Sequence, residues 1–271
     1  MNSLFLSFGP ESLLLFLLLG SIVGLIAGLF GIGGGLIIVP ALIWGLPQVD
    51  VNPEHTTHMA VGTSLATIVI TSLSSIRAHH KRGGVIWSDF RILTPGLLLG
   101  AWMGGVVAGW LNGEVLQRFF GLFALAVGVS MLRSSAGHGG DLRVSKWLKG
   151  SVATLIGGVS ALVGIGGGSM TVPFLHATGV AMKRAVATSS ACGLPIALSG
   201  AVSFIVAGWD SQALPAYSSG YVYWPAALVI VLTSSLLAPV GAGLAHRLPG
   251  LRLKRIFALF LMLIGAKLLI G

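Results

Sequence analysis

Three long stretches without a charged side chain constrain this chain more than any other feature. Residues 12–49, 150–182 and 211–246 contain no Asp, Glu, Lys or Arg. Each is longer than the roughly 20 apolar residues that an α-helix needs to cross the hydrocarbon core of a bilayer. Charged residues make up only 8% of the chain, which is too few to cover the surface of a soluble domain. The sequence therefore predicts an all-α integral membrane protein.

The chain contains two copies of one unit. Four short blocks recur in the same order, and the clearest of them is Gly-Ile-Gly-Gly-Gly followed by Val-Pro. This order indicates a duplicated gene, and internal repeats are common in secondary transporters. The matched blocks are residues 31–40 and 164–173, 61–64 and 186–189, 83–87 and 220–224, and 116–120 and 253–257.

Each unit has one long apolar segment that the glycine cluster interrupts and three uninterrupted apolar segments. This division predicts a first membrane repeat over residues 1–133, a cytoplasmic linker over 134–146 and a second membrane repeat over 147–271. The predicted segments are 12–46, 55–76, 90–110 and 115–133 in the first repeat, and 147–178, 184–207, 221–244 and 253–270 in the second.

The Lys and Arg residues of matched loops indicate that the two repeats have opposite orientations. Between the second and third segments, the first repeat has Lys and Arg at residues 77–91 and the second has none; the last loop reverses this bias. Because cytoplasmic loops are rich in Lys and Arg, each glycine-interrupted segment is expected to enter and leave on one side. Both termini then lie outside, and of the 16 Lys and Arg residues only Arg118 and Lys267 are not inside. The alternative is that all eight segments cross the membrane as ordinary transmembrane helices.

The glycine clusters are the first candidate binding site. Consecutive glycines favour a helix break, and the half-helices predicted to restart at Leu36 and Ser169 would present unpaired N–H groups near the middle of the membrane. Two such ends can bind an anion without a buried cation. Close helix packing is the alternative role for these glycines. The candidate residues are Gly33, Gly34, Gly35, Gly166, Gly167 and Gly168.

Hydroxyl groups at matched positions are the second candidate. Thr63 and Ser64 recur as Thr188 and Ser189, and each could donate a hydrogen bond to a bound oxyanion. Hydrogen bonds to the residue's own helix, or to a neighbouring helix, use the same side chains and remain the alternative.

Histidines are the titratable side chains nearest to the predicted site. His55, His58 and His176 could move protons and couple them to transport, or they could be solvated loop residues. The sequence predicts no metal site, no cofactor and no catalytic group, because no acidic residue lies deep in a predicted segment and no further metal ligands accompany the histidines. It predicts a non-enzyme.

The twin motifs resemble the sulfite exporter TauE/SafE family of transporters. The resemblance is carried by residues 28–40 and 161–173, by Val-Gly-Thr-Ser and Val-Ala-Thr-Ser at 61–64 and 186–189, and by the Leu-x-Arg-x-Phe pattern that begins at Leu253. It extends over about residues 20–270. It implies a bacterial plasma-membrane permease for small anions such as sulfite, sulfoacetate-like sulfonates or related organic acids, working in either direction.

These patterns together predict a secondary transporter that moves small anions by alternating access, with proton coupling resting only on the histidines. An anion channel with the same half-helix site is the first alternative, and a metal-cation carrier is the second. The expected partners are a small anionic substrate and the lipid bilayer. The net charge of +9 is explained by Lys and Arg residues in cytoplasmic loops, so no nucleic-acid partner is expected. The sequence is compatible with a homodimer.

Overall fold

The apolar segments form helices. The computed structural model describes residues 10–30, 34–49, 51–133, 144–212, 214–245 and 250–270. A 3₁₀ turn, Leu46–Val49, follows the second helix, and a hairpin of strands β1 (Ser218–Ser219) and β2 (Val222–Tyr223) precedes the ninth. In chain order the helices are α1 (Pro10–Phe30), α2 (Gly35–Gly45), α3 (Pro53–Lys81), α4 (Trp87–Trp110), α5 (Gly113–Arg133), α6 (Lys146–Val163), α7 (Gly168–Ala177), α8 (Met182–Ala207), α9 (Trp224–Ala245) and α10 (Gly250–Ile270).

Five of the described helices are long and apolar enough to cross a bilayer by length and composition. These are α3, α4, α5, α8 and the Trp224–Gly241 part of α9. Two shorter apolar stretches, Glu11–Ala27 and Gly35–Val49, belong to the first glycine-interrupted segment. The prediction of an all-α, multi-pass membrane protein is confirmed at this level.

The second glycine cluster breaks its segment as predicted. Helix α6 ends at Val163, and Gly164 and Gly167 then adopt φ values of +70° and +76°. Glycine adopts this left-handed conformation at little cost because it has no Cβ. Helix α7 begins at Gly168, one residue before the predicted restart at Ser169. The helical path is therefore interrupted inside the fold by four residues, 164–167, that carry no charged or polar side chain.

The first glycine cluster also separates two helices. Helix α1 ends at Phe30 and α2 begins at Gly35, again one residue earlier than predicted. Residues 31–33, which include the predicted site residue Gly33, lie outside the described residues. A Cβ atom at Gly45 would lie 2.6 Å from Cδ1 of Leu19, so the end of α2 packs against the first half of α1. The α2 helix therefore folds back along α1.

Helices of the two repeats interleave. The most extensive interfaces join α4 to α6 and α1 to α9, and each pairs the first helix of one repeat with a later helix of the other. A Cβ at Gly100 would meet the carbonyl of Thr154, and a Cβ at Gly24 would lie 2.5 Å from Cα of Ser234. Small residues thus let these helix backbones approach closely, as is usual between membrane helices.

Helices α3 and α8 form the centre of the fold. In their most apolar windows 61% and 56% of the residues are buried, against 28% in α5, which packs on α10 at the side. The matched hydroxyl residues lie on these two most buried helices, and the glycine clusters lie beside them.

The predicted linker over 134–146 falls mostly on residues 134–143, outside the described part of the chain, and α6 begins at Lys146.

Candidate functional site

The two helix breaks contact each other. A Cβ atom at Gly35 would lie 2.6 Å from the carbonyl oxygen of Gly164 and 2.9 Å from Cα of Ile165. The second break also reaches α8, since a Cβ at Gly193 would lie 2.8 Å from the carbonyl oxygen of Gly166. Backbone therefore meets backbone at this point, and only glycine leaves enough room.

Within the described residues, both short helices begin with backbone donors that have no partner. In α2 the N–H groups of Ile37 and Ile38 bond to the carbonyl of Gly34, and in α7 those of Met170 and Thr171 bond to the carbonyl of Gly167. The two N–H groups before them in each helix have no hydrogen-bond partner among the described residues. Such ends carry a partial positive charge and attract anions.

The predicted threonines bind the backbone of the opposite repeat. The hydroxyl of Thr63 accepts a hydrogen bond from the N–H of Tyr223 (3.0 Å), and that of Thr188 accepts one from the N–H of Ile86 (2.9 Å). Both pairs occupy matched positions in the two repeats. Both threonines are fully buried, so these bonds fix each repeat's central helix to a turn of the other repeat.

The predicted serines differ from each other. The hydroxyl of Ser64 donates to the carbonyl of Gly164 at 2.8 Å, which joins α3 to the second break. The hydroxyl of Ser189 is buried and has no hydrogen-bond partner within the described residues. Of the four predicted hydroxyls, Ser64 donates its hydrogen within the protein, Thr63 and Thr188 act as acceptors, and Ser189 has no partner within the described residues.

The structure adds hydroxyls that the sequence reasoning missed. Thr171 is fully buried, and its Oγ1 lies 3.2 Å from where a Cβ at Gly167 would be; Oγ of Ser160 lies 3.7 Å from the same point. The hydroxyls of Thr171 and Ser169 have no hydrogen-bond partner within the described residues. The sequence contained a signal for them, because the positions in α2 that match Ser169 and Thr171 hold the apolar residues Leu36 and Ile38.

Charged side chains are absent from the buried part of this region. Among the residues whose burial is described, no Asp, Glu, Lys or Arg is buried. The described part of the chain also holds no group of three side chains that could bind a metal ion. A charged ligand at the breaks would therefore meet backbone dipoles and hydroxyls rather than opposite charges.

The three predicted histidines lie in different surroundings. His58 is buried on α3, and its Nε2 lies 3.0 Å from the carbonyl oxygens of both Ala108 and Leu111, at the end of α4. His55 is half-buried one turn earlier. His176 lies in the last turn of α7, at the opposite end from the break, and its Nδ1 donates to the carbonyl of Val180 at 3.0 Å.

Interleaved apolar helices and two interrupted helices that meet in the interior define a multi-pass membrane protein of the transporter class. The chain belongs to the sulfite exporter TauE/SafE family, whose model matches residues 16–268. The resemblance seen in the sequence is thereby confirmed.

Relatives from bacteria and archaea are similar over nearly their whole length. A "probable membrane transporter protein" of Haemophilus influenzae is 42% identical, covering 93% of this chain and 96% of its own. YunE of Bacillus subtilis is 29% identical (95% and 97%), and a protein of Methanocaldococcus jannaschii is 28% identical (94% and 95%); both carry the same description. No solved structure matches the chain. The protein is a membrane transporter of this family.

Proposed function

We propose that the protein is a secondary transporter that carries small anions across the bacterial plasma membrane. The observation that carries this proposal is the meeting of two helix breaks beside the buried hydroxyl of Thr171, which has no partner within the described residues. The hydroxyl of Ser189, on the central helix α8, is also buried without a partner there. A buried polar group without a partner costs about 1–3 kcal/mol. A ligand rich in hydrogen-bond acceptors would remove that cost and would meet the positive ends of α2 and α7.

The proposed ligand is a compact oxyanion. No cation is buried among the described residues, so charge neutralisation rests on N–H groups, which bind sulfite-like or sulfonate oxygens well. The family description supports a sulfur oxyanion, and small organic acids share the same acceptor chemistry. The proposed ligands are the N–H groups of Gly168 and Ser169 and the hydroxyl of Thr171 at the second break, together with the hydroxyl of Ser189 on α8.

Alternating access is the proposed mechanism, with the repeats inverted relative to each other. Matched residues exchange matched contacts, as in the pairs formed by Thr63 with Tyr223 and by Thr188 with Ile86. Each repeat therefore holds the other at equivalent points. Rocking of one repeat against the other about the two breaks would expose the anion to the two sides in turn.

Thermal unfolding of purified protein with a panel of anions tests this function. A ligand that binds the folded state raises its stability, by about 2.7 kcal/mol at 100 times its Kd. We expect sulfite, thiosulfate or a sulfonate to stabilise the protein more than chloride or sulfate does at matched ionic strength. Stabilisation by a cation or a neutral metabolite, with none by any anion, would contradict the proposal.

Two threonine variants locate the ligand. Thr171→Val removes a hydroxyl at the break, whereas Thr94→Val removes one that already bonds to the carbonyl of Phe90 at 2.7 Å. A hydrogen bond to a charged group contributes about 1.5–3 kcal/mol, so Thr171→Val should weaken anion binding roughly tenfold or more. Equal binding by both variants would remove Thr171 from the site.

The anion flux separates a carrier from a channel. Flux that never saturates with anion concentration would favour an anion channel over a secondary transporter.

A further inference from the structure

We propose that His58 is a proton-binding site at the external end of the protein, and that a proton there weakens the contact between the β1–β2 hairpin and α3. Among the three predicted histidines, the geometry favours this one alone. The effect of this proton on transport rests on the proposed function, and the side of the membrane that His58 faces rests on the proposed orientation. The proton site itself rests on the contacts of His58.

The tautomer of His58 is fixed by its neighbours. Carbonyl oxygens only accept hydrogen bonds, so the Nε2 that faces Ala108 and Leu111 must carry a hydrogen. The neutral ring therefore has its lone pair on Nδ1, and this atom is buried with no hydrogen-bond partner in the described residues. A proton taken up by His58 must bind at Nδ1.

The surroundings disfavour the charged ring while the hairpin covers it. The two carbonyls lie at the C-terminal end of α4, where the helix dipole favours a cation, and the ring of Tyr221, from the turn between β1 and β2, lies 4.9 Å from that of His58 at an interplanar angle of 30°. Burial removes the water that would solvate a charged ring, and a proton on Nδ1 would face no acceptor within the described residues. A protonated His58 therefore favours a loosened hairpin that admits water to the ring.

Few other titratable groups face this site. His55, on the same helix, lies 5.7 Å from the ring of Tyr221, and burial raises the pKa of Tyr223 on β2 to about 12, so that hydroxyl stays protonated. The acidic residues of the adjoining elements have exposed side chains; they are Glu54 on α3, Glu114 on α5 and Asp210 after α8. His58 is thus the buried side chain of this region whose residue type ordinarily titrates near neutral pH.

The hairpin connects His58 to the helix break. A Cβ at Gly62 would lie 2.6 Å from the carbonyl oxygen of Tyr221, so the hairpin packs directly on α3. Two residues later, the N–H of Tyr223 bonds to Thr63. The next residue of α3, Ser64, bonds to Gly164 in the second break. A change in hairpin contact at His58 therefore acts on residues that touch the proposed anion site.

The pairing of the His58 and Tyr221 rings lies on one side of the molecule. In the other repeat the position matched to Tyr221 is Gly84, which has no ring. The ends of α3 and α4 that meet at His58 lie away from the cluster of Lys and Arg at residues 77–91, and are external in the proposed orientation. External pH, rather than cytoplasmic pH, should therefore control the hairpin contact.

Hydrogen exchange of the substrate-free protein tests the proton site. From about pH 7.5 to about pH 5.5, after correction for intrinsic exchange, the amides of residues 218–224 should become roughly fivefold less protected, because the open form with a solvated His58 ring binds the proton more readily than the closed form. His58→Gln keeps an N–H donor for the carbonyls but cannot titrate, so its protection should not change with pH. His55→Gln is the matched control and should behave as wild type.

Opposite results overturn the proposal. It is wrong if wild type shows no pH response, or if His58→Gln retains it. If His58→Gln fails to fold, Tyr221→Leu serves instead, because it removes the ring and should also abolish the response. In proteoliposomes, external acid alone should alter anion flux in wild type and not in His58→Gln. Absence of anion binding by wild type would refute the proposed function and leave the exchange result standing.

Discussion

Replacing Gly35 by Ala should separate the two helix breaks. The added Cβ would lie 2.6 Å from the carbonyl oxygen of Gly164 and 2.9 Å from Cα of Ile165, and both are backbone atoms that cannot rotate away. Forcing extra volume into packed protein costs about 1–3 kcal/mol. For a protein of this size, each kcal/mol lowers the melting temperature by about 2–4 °C. Thermal unfolding should therefore show a loss of several degrees, together with weaker anion binding.

The neighbouring glycine provides the control. Gly34 has helical φ and ψ of −66° and −23°, and within the described residues a Cβ there would meet only the flexible side chain of Ile38, whose Cδ1 would lie 2.8 Å away. Both substitutions reduce the entropy of the unfolded chain equally, so their difference isolates the contact with the second break. If Gly35→Ala is as stable as Gly34→Ala and binds anions equally well, the two breaks do not meet as described.

Three further outcomes are expected. Thr188→Val leaves the N–H of Ile86 unpaired and should cost about 1–3 kcal/mol in chemical unfolding; unchanged stability would mean that water replaces the bond. The ion pair between Asp89 and Lys149 measures 2.8 Å, and the side chains are half-buried, with 14% and 18% of their surfaces exposed, so Lys149→Met should destabilise by about 1–3 kcal/mol. Adding Asp89→Leu should restore much of this; additive losses would argue against coupling. Cys192 is fully buried and should react with maleimide only after unfolding, whereas rapid labelling would reveal an open path to α8.

The class of protein could be predicted from the sequence because it depends on segment composition. Apolar length indicates membrane helices wherever each helix packs, and the glycine clusters break their helices through local backbone freedom. The starts of α2 and α7 were accordingly predicted to within one residue. The family was also visible, since the twin motifs lie in continuous stretches of chain.

The role of each hydroxyl could not be predicted. Thr63 and Ser189 are both hydroxyl residues in matched blocks, yet one accepts a bond from Tyr223 and the other has no partner in the described structure. The contacts of Thr63 join residues far apart in the chain. Thr171 was overlooked although it lies one helical turn after Gly167, because its match in α2 is the apolar Ile38 and the comparison of repeats selected only hydroxyls present in both copies.

The sequence by itself determined that this is a membrane protein with two repeats and two broken helices, because each feature follows from residues that are neighbours in the chain. Only the tertiary structure decided that the breaks touch, which hydroxyls remain unpaired, and that His58 rather than His55 is buried against the end of α4. The physical reason is that hydrogen bonds and close backbone contacts are short-ranged. Packing of distant helices settles which groups are satisfied within the protein and which are left for a ligand.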